Sequence, residues 1–168
     1  MMRQNLLKQY LSLACIGDAE ASYRAGKLME EEGTYNEVIV QKRYRDAANA
    51  GHASAQKELA GLGLYGVLVT NDSTVTNIHY HENLNNAFMW LHKASDNGNA
   101  ECTIALEAIN KFGTSIIENA RKAVSYYIGG TSSASSSKKA VADYMLFEIA
   151  MQYIDPFGIN ECNERKII

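Results

Sequence analysis

The polar and apolar positions of this chain recur at three and four residues, the period of a helix with one buried stripe. From Leu84 through Ala87, Leu91 and Ala94 the apolar positions line a single face, widened by Phe88 and Trp90. Near the end of the chain, Val141, Tyr144, Met145 and Ile149 trace a similar stripe, with Glu148 as its polar exception. The pattern predicts helices at about 3–16, 18–32, 36–50, 52–66, 83–97, 99–112, 116–129 and 138–154. The links are short, about three to five residues, so neighbouring helices run antiparallel. Three stretches break the rhythm. Val69 to Asn83 is polar and has no helical period, residues 129–137 are Gly- and Ser-rich and read as a flexible linker, and residues 155–168 form a tail opening on Asp155-Pro156.

A short motif repeats along the chain. Gly17-Asp18-Ala19-Glu20, Gly51-His52-Ala53-Ser54 and Gly98-Asn99-Ala100-Glu101 share it, Gly51 following Gly17 by 34 residues and Gly98 following Gly51 by 47. The excess falls on the 69–83 insertion, whose removal leaves two repeats of nearly equal length. Small residues precede each glycine, as in Ala47-Ala48 and Ala94-Ser95. A small residue lets the next helix approach, and glycine takes the left-handed conformation that ends a helix. The residue after it (Asp18, His52 or Asn99) is placed to cap the next helix, with His the weakest of the three.

These residues resemble the Sel-one-like repeat, a branch of the tetratricopeptide-like family. Ala87, Trp90, Lys93, Ala94 and Gly98 fit the second helix of its hairpin, with Ser95 in place of an alanine. Tyr44, Ala47, Ala48 and Gly51 fit the same half of the preceding repeat. Ala21, Tyr23, Ala25 and Gly26, then Ala55, Leu59 and Ala60, fit the first helix. The resemblance spans residues 13–128. It implies an all-α fold over residues 1–154, a right-handed α-α solenoid of about three hairpins, with an N-terminal half-repeat and a C-terminal capping helix. The third repeat departs where Glu107 aligns with Gly26 and Ala60. A carboxylate in a tight helix crossing is costly, so either the helix turns Ala105 or Ala108 inward or the superhelix ends there with Glu107 in water.

The resemblance also implies where a partner would bind, in the groove lined by the first helix of each hairpin. Glu20, Tyr23, Lys27, Glu30 and Glu31 are its expected residues from the first repeat, Lys57, Leu64 and Tyr65 from the second, and Glu101 and Lys111 from the third. The acidic Glu30-Glu31-Glu32 with Glu37 and the basic Lys42, Arg43 and Arg45 are expected to pair across adjacent helices, each pair contributing little, the alternative being that the acidic run docks a basic toxin or peptide. The insertion is a second candidate surface, through Asp72, His79, Tyr80 and His81. Two histidines two apart fall short of the three or four ligands a metal site needs, and no metal or cofactor is expected.

The chain has 168 residues, 46% hydrophobic and 21% charged, ordinary for one globular domain. A net charge of -3 gives no concentrated positive field for nucleic acid or an acidic membrane. Three cysteines without regular spacing do not suit a disulfide-stapled secreted fold. The apolar run Tyr10 to Ile16 is cut short by Lys8 and Gln9, and Ser12 stands where a lipoprotein signal before Cys15 carries an aliphatic side chain. A cytoplasmic location is therefore expected. No Gly-x-Ser-x-Gly elbow or His-Glu-x-x-His helix occurs, and Gly61, Gly63 and Gly66 follow no predicted strand, so no enzyme is expected. The expected function is binding another protein, most specifically immunity to a cognate bacterial toxin. The alternative is an adaptor or host-directed effector scaffold.

Overall fold

The structure, a computed structural model, describes residues 2–68, 80–129 and 141–154. Among these residues every regular element is a helix: α1 (Met2–Cys15), α2 (Ala19–Glu32), α3 (Glu37–Asn49), α4 (Ala53–Tyr65), α5 (Tyr80–Asp96), α6 (Ala100–Phe112), α7 (Ser115–Gly129) and α8 (Val141–Ile154). The fold is all-α. The expected and observed bounds agree to within about three residues, the largest differences being α5 and α8.

The three Gly motifs adopt one geometry. Gly17, Gly51 and Gly98 have φ of 97°, 91° and 90°, conformations that a Cβ would strain. The residue after each glycine donates its N–H five residues back, Asp18 to Leu13 at 3.2 Å, His52 to Ala47 at 3.1 Å and Asn99 to Ala94 at 2.9 Å. Each glycine donates three back, to Ala14, Ala48 and Ser95, at 3.0 Å in every case. This pair of bonds is the Schellman closure, which satisfies carbonyls a helix end would leave unpaired. The same residue then caps the following helix. The Asp18 carboxylate accepts from the Ala21 N–H at 2.9 Å, the Asn99 amide oxygen from Cys102 at 3.0 Å, and His52 Nδ1 from Ala55 at 3.2 Å.

From α1 to α6 each helix packs on the next in the chain. α4 is the centre, touching α3, α5, α7 and α8, and nine of its 13 residues are buried, as a helix covered on all sides requires. The buried face of α5 is the one its pattern predicts, with Ala87, Trp90, Leu91 and Ala94 inside. In α6, Ala105 and Ala108 are buried while Glu107 is exposed, so the carboxylate avoids the crossing.

The last two helices leave this sequential order. α7 packs more extensively on α8 than on α6, and α8 lies against α4 and α6 as well as α7. A helix expected to cap one end therefore reaches back to the middle of the domain. Gly61 makes this possible: a Cβ there would lie 2.5 Å from the Cα of Ala142. The inward residues of α8 are Val141, Ala142, Met145, Leu146 and Ile149, while Tyr144 from the predicted stripe is exposed.

α5 starts at Tyr80, so the end of the expected insertion is helical. At its base the Leu68 N–H donates to Asn83 Oδ1 at 2.7 Å, both groups being buried. Removing that acceptor strands a donor away from water, so Asn83→Ala should lower the unfolding free energy by about 1–3 kcal/mol. A urea titration checks this, and an unchanged midpoint would show that the bond does not hold the segment.

Candidate functional site

Helices α2, α4 and α6 carry the residues that the repeat resemblance assigns to a groove, and the structure sorts them into separate surroundings. Lys27, Glu30 and Tyr23 of α2 gather with Glu58 of α4 and Tyr44 of α3. Lys27 Nζ lies 2.5 Å from Glu58 Oε1 and 5.8 Å from the ring centres of both Tyr23 and Tyr44. Burial works against the Lys27 charge, but the Glu58 carboxylate outweighs it and holds the ammonium above its ordinary range. Burial also raises the Glu58 carboxyl, against the pull of Lys27. The Tyr44 hydroxyl donates to Glu30.

Glu30 is the titrating member of this cluster. Desolvation pushes its carboxyl up to about 7, opposed by the Tyr44 bond and Lys27 and reinforced by Glu58 and Glu37. A carboxyl whose folded pKa exceeds its unfolded value favours the fold while protonated. Stability from this group is full below the ordinary carboxyl value of 4.5 and is lost as pH rises to about 7. Glu30→Gln should flatten that decline by on the order of 2 kcal/mol, allowing for partial exposure. Thermal or urea unfolding between pH 5 and 8 provides the check, and parallel profiles for the two proteins would assign the titration elsewhere.

Glu20, one turn before Tyr23 on α2, is exposed and bonded to His52 Nε2 and to Arg24, the latter at 2.6 Å. The His52 hydrogen bond, helped by Arg24 against slight desolvation, holds its carboxyl below the usual range. Tyr23 stacks on the His52 ring at 4.6 Å between centres, joining this pair to the cluster. Glu31 does not join. It faces α1, where Arg3 lies 3.8 Å away. The basic residues Lys42 and Arg43 turn to Asp46 of their own helix, at 3.4 and 3.8 Å, rather than across to the acidic run.

Leu64, Tyr65 and Lys57, expected to line the groove, are instead engaged by other helices of the chain. Leu64, expected to be open to a partner, is buried, and its carbonyl accepts from Arg121 Nε of α7 at 2.6 Å. The Tyr65 hydroxyl meets Ser125 Oγ of α7 at 3.0 Å. Lys57 reaches Asp143 of α8 at 3.1 Å and Glu101 of α6 at 3.7 Å. Lys111 is exposed at the far end of α6, its ammonium 5.4 Å from the Phe112 ring and 5.7 Å from the Tyr153 ring. Of the insertion's candidates, Asp72 and His79 lie outside the described residues, and Tyr80 and His81 open α5. Among the described residues no three His, Cys, Asp or Glu side chains gather to hold a metal ion, and no helix is long and apolar enough to cross a membrane.

A different surface lies on the outside of the last two helices. Beside α8 a cleft of about 490 Å³ opens between α4, α6 and α8, lined by Lys57, Glu101, Ile104, Asp143, Leu146, Phe147 and Ala150. Phe147 is 58% exposed and lies one turn from Tyr144. Tyr144 lies 5.9 Å from Tyr127, and Tyr127 6.3 Å from Tyr126, which is 80% exposed. The Tyr127 hydroxyl donates to Glu148 Oε1 at 3.0 Å, fixing this part of the ridge. Four aromatic side chains thus run along the outside of the α7–α8 pair and end at the cleft.

Comparison with family models, with curated proteins and with solved structures returns no match.

The sequence pattern did not point to the ridge. Its one available signal was α8 itself, where Tyr144 and Phe147 make a second apolar face beside the stripe through Met145 and Ile149. A helix apolar on two sides has one side to bury and one left to present.

Proposed function

We propose that this protein is a binding module for another protein, and that the outer face of α7 and α8 with the adjoining cleft is its contact surface. The observation that carries the reading is the aromatic ridge from Tyr126 to Phe147, exposed on a helix pair whose other side is packed. Tyr and Phe supply large contact area at little entropic cost and are enriched at the centres of protein interfaces. The finer architecture belongs to the proposal too. A right-handed solenoid of the Sel-one-like kind accounts for three turns of one geometry at Gly17, Gly51 and Gly98, with α7 and α8 folded back onto it. The most specific form of the function is immunity, in which a cytoplasmic bacterial protein holds a toxin inactive.

Co-expression with the product of the adjacent reading frame tests this. The expected result is co-purification of the two products and relief of any growth arrest. Tyr126→Ser with Phe147→Ser, both on the exposed ridge, should abolish both effects while leaving the helical circular dichroism unchanged. Full binding and full relief by that double variant would remove the ridge from the interface.

A further inference from the structure

The geometry points to the cleft between α4, α6 and α8 as a socket for a basic side chain, arginine or lysine, carried on a segment of a partner protein. This rests on the reading above that the α7–α8 face binds protein, and it names what the partner must present.

The charges of the cleft are unevenly placed. Lys57 stands between two carboxylates, Asp143 at 3.1 Å and Glu101 at 3.7 Å, so one positive charge is shared by two negative ones. The Lys57 side chain is only 17% exposed, whereas those of Glu101 and Asp143 are 59% and 51% exposed. The lysine lies beneath and the carboxylates form the rim, so an approaching group meets the surplus negative charge first. The rest of the lining is apolar: Ile104, Leu146 and Ala150, with Phe147 exposed at the mouth beside the carboxylates.

An apolar wall ending in an outward negative rim suits a side chain with a hydrocarbon stem and a cationic head. Arginine fits best, because its fork donates in several directions to carboxylates and its plane can lie on the Phe147 ring. At about 490 Å³ the cleft falls within the usual span of ligand clefts, roughly 300–1,000 Å³, leaving room for a flanking apolar residue. The ridge continues outward from Phe147 through Tyr144 to Tyr126, so the occupant extends well beyond one side chain, as a polypeptide does and a small cation does not. The net charge of -3 favours the approach of a basic segment over an acidic one.

The test uses the full chain and a synthetic peptide, acetyl-Ala-Leu-Arg-Phe-Arg-Leu-Ala-amide, against a twin with both arginines replaced by citrulline, which keeps the shape and removes the charge. Binding is followed by amide and methyl NMR shifts and by fluorescence polarisation. The arginine peptide should perturb Ile104, Phe147 and Ala150 and bind at least about fivefold more tightly than its twin, with the difference shrinking as salt rises. Glu101→Gln, confined to the exposed rim, should weaken the arginine peptide by about threefold or more and leave the twin unchanged. Equal affinity of the two peptides, shifts elsewhere on the protein, or no saturable binding at millimolar peptide would each overturn the socket. The co-expression partner separates the two levels of failure. If it is lost on Phe147→Ser but held undiminished by Glu101→Gln, the face is right and the basic anchor wrong. If neither substitution matters, the face itself is wrong.

Discussion

Lys27→Met is expected to lower the unfolding free energy by about 3 kcal/mol, at the lower end of the cost of breaking a buried ion pair because Lys27 itself keeps some contact with water. The loss comes from what remains rather than from what is removed. Glu58 is almost wholly buried, and Lys27 is the group 2.5 Å from its carboxylate. Without that ammonium the carboxylate must either stay charged in a poor solvent or take up a proton. Two further results follow. Glu58→Leu in the Lys27→Met background should recover most of the loss, since two apolar groups replace two charges that had compensated each other. In a Glu30→Gln background, where the Glu30 titration is absent, lowering the pH from 8 to 5 should also recover part of it, because burial raises the Glu58 carboxyl and favours its neutral form. Urea midpoints at both pH values decide the matter, and a single-variant loss under about 1 kcal/mol would mean that Glu58 reaches water or another cation.

Gly61→Ala should release α8 from the domain. Alanine is the better helix former by up to about 1 kcal/mol, so on propensity alone the change would stabilise α4. Packing opposes it. The new Cβ would lie 2.5 Å from both the Cα and the Cβ of Ala142 and 2.8 Å from its carbonyl oxygen, and backbone atoms cannot turn aside as a flexible side chain could. α8 must move, and with it the burial of Val141, Met145, Leu146 and Ile149 against α4, α6 and α7. Each such side chain contributes about 1.5–3 kcal/mol when fully buried, so even partial loss exceeds the propensity gain. Hydrogen exchange should show protection lost in residues 141–154 and reduced in α7, with α2, α3 and α5 close to native. Ala142→Gly added to Gly61→Ala should restore little, because the Cα and carbonyl oxygen still obstruct. Undiminished protection in α8 would show that the two helices can slide apart cheaply.

The helices and their ends were legible because local chemistry decides them. A glycine at positive φ followed by Asp, Asn or His closes one helix and opens the next, and that pairing can be read directly from the residues. The inward face of α5 was legible for a similar reason, its apolar positions leaving one choice of side. α8 offered two, and the stripe chosen through Tyr144 proved to be rotated from the buried one through Ala142 and Leu146. Leu64 looks open in the sequence because nothing near it along the chain reveals that α7 turns back to cover it. The Lys27–Glu58 pair joins residues 31 apart, and in the sequence both look like ordinary exposed helix charges. The cleft was hidden most completely, since its walls come from three helices whose meeting depends on one missing side chain at Gly61.

The three identical closures make the chain extensible. A unit running from Asp18 to Gly51 begins with a residue that caps a helix and ends with the glycine that prepares the next cap. A second copy inserted directly after the first meets no unfamiliar junction, because Gly51 would precede Asp18 just as Gly17 does now. Under the solenoid reading proposed above, the added hairpin would lengthen the domain on the side away from α8, leaving the Gly61–Ala142 crossing untouched, so the reach of the protein could be altered while its aromatic face stays as it is.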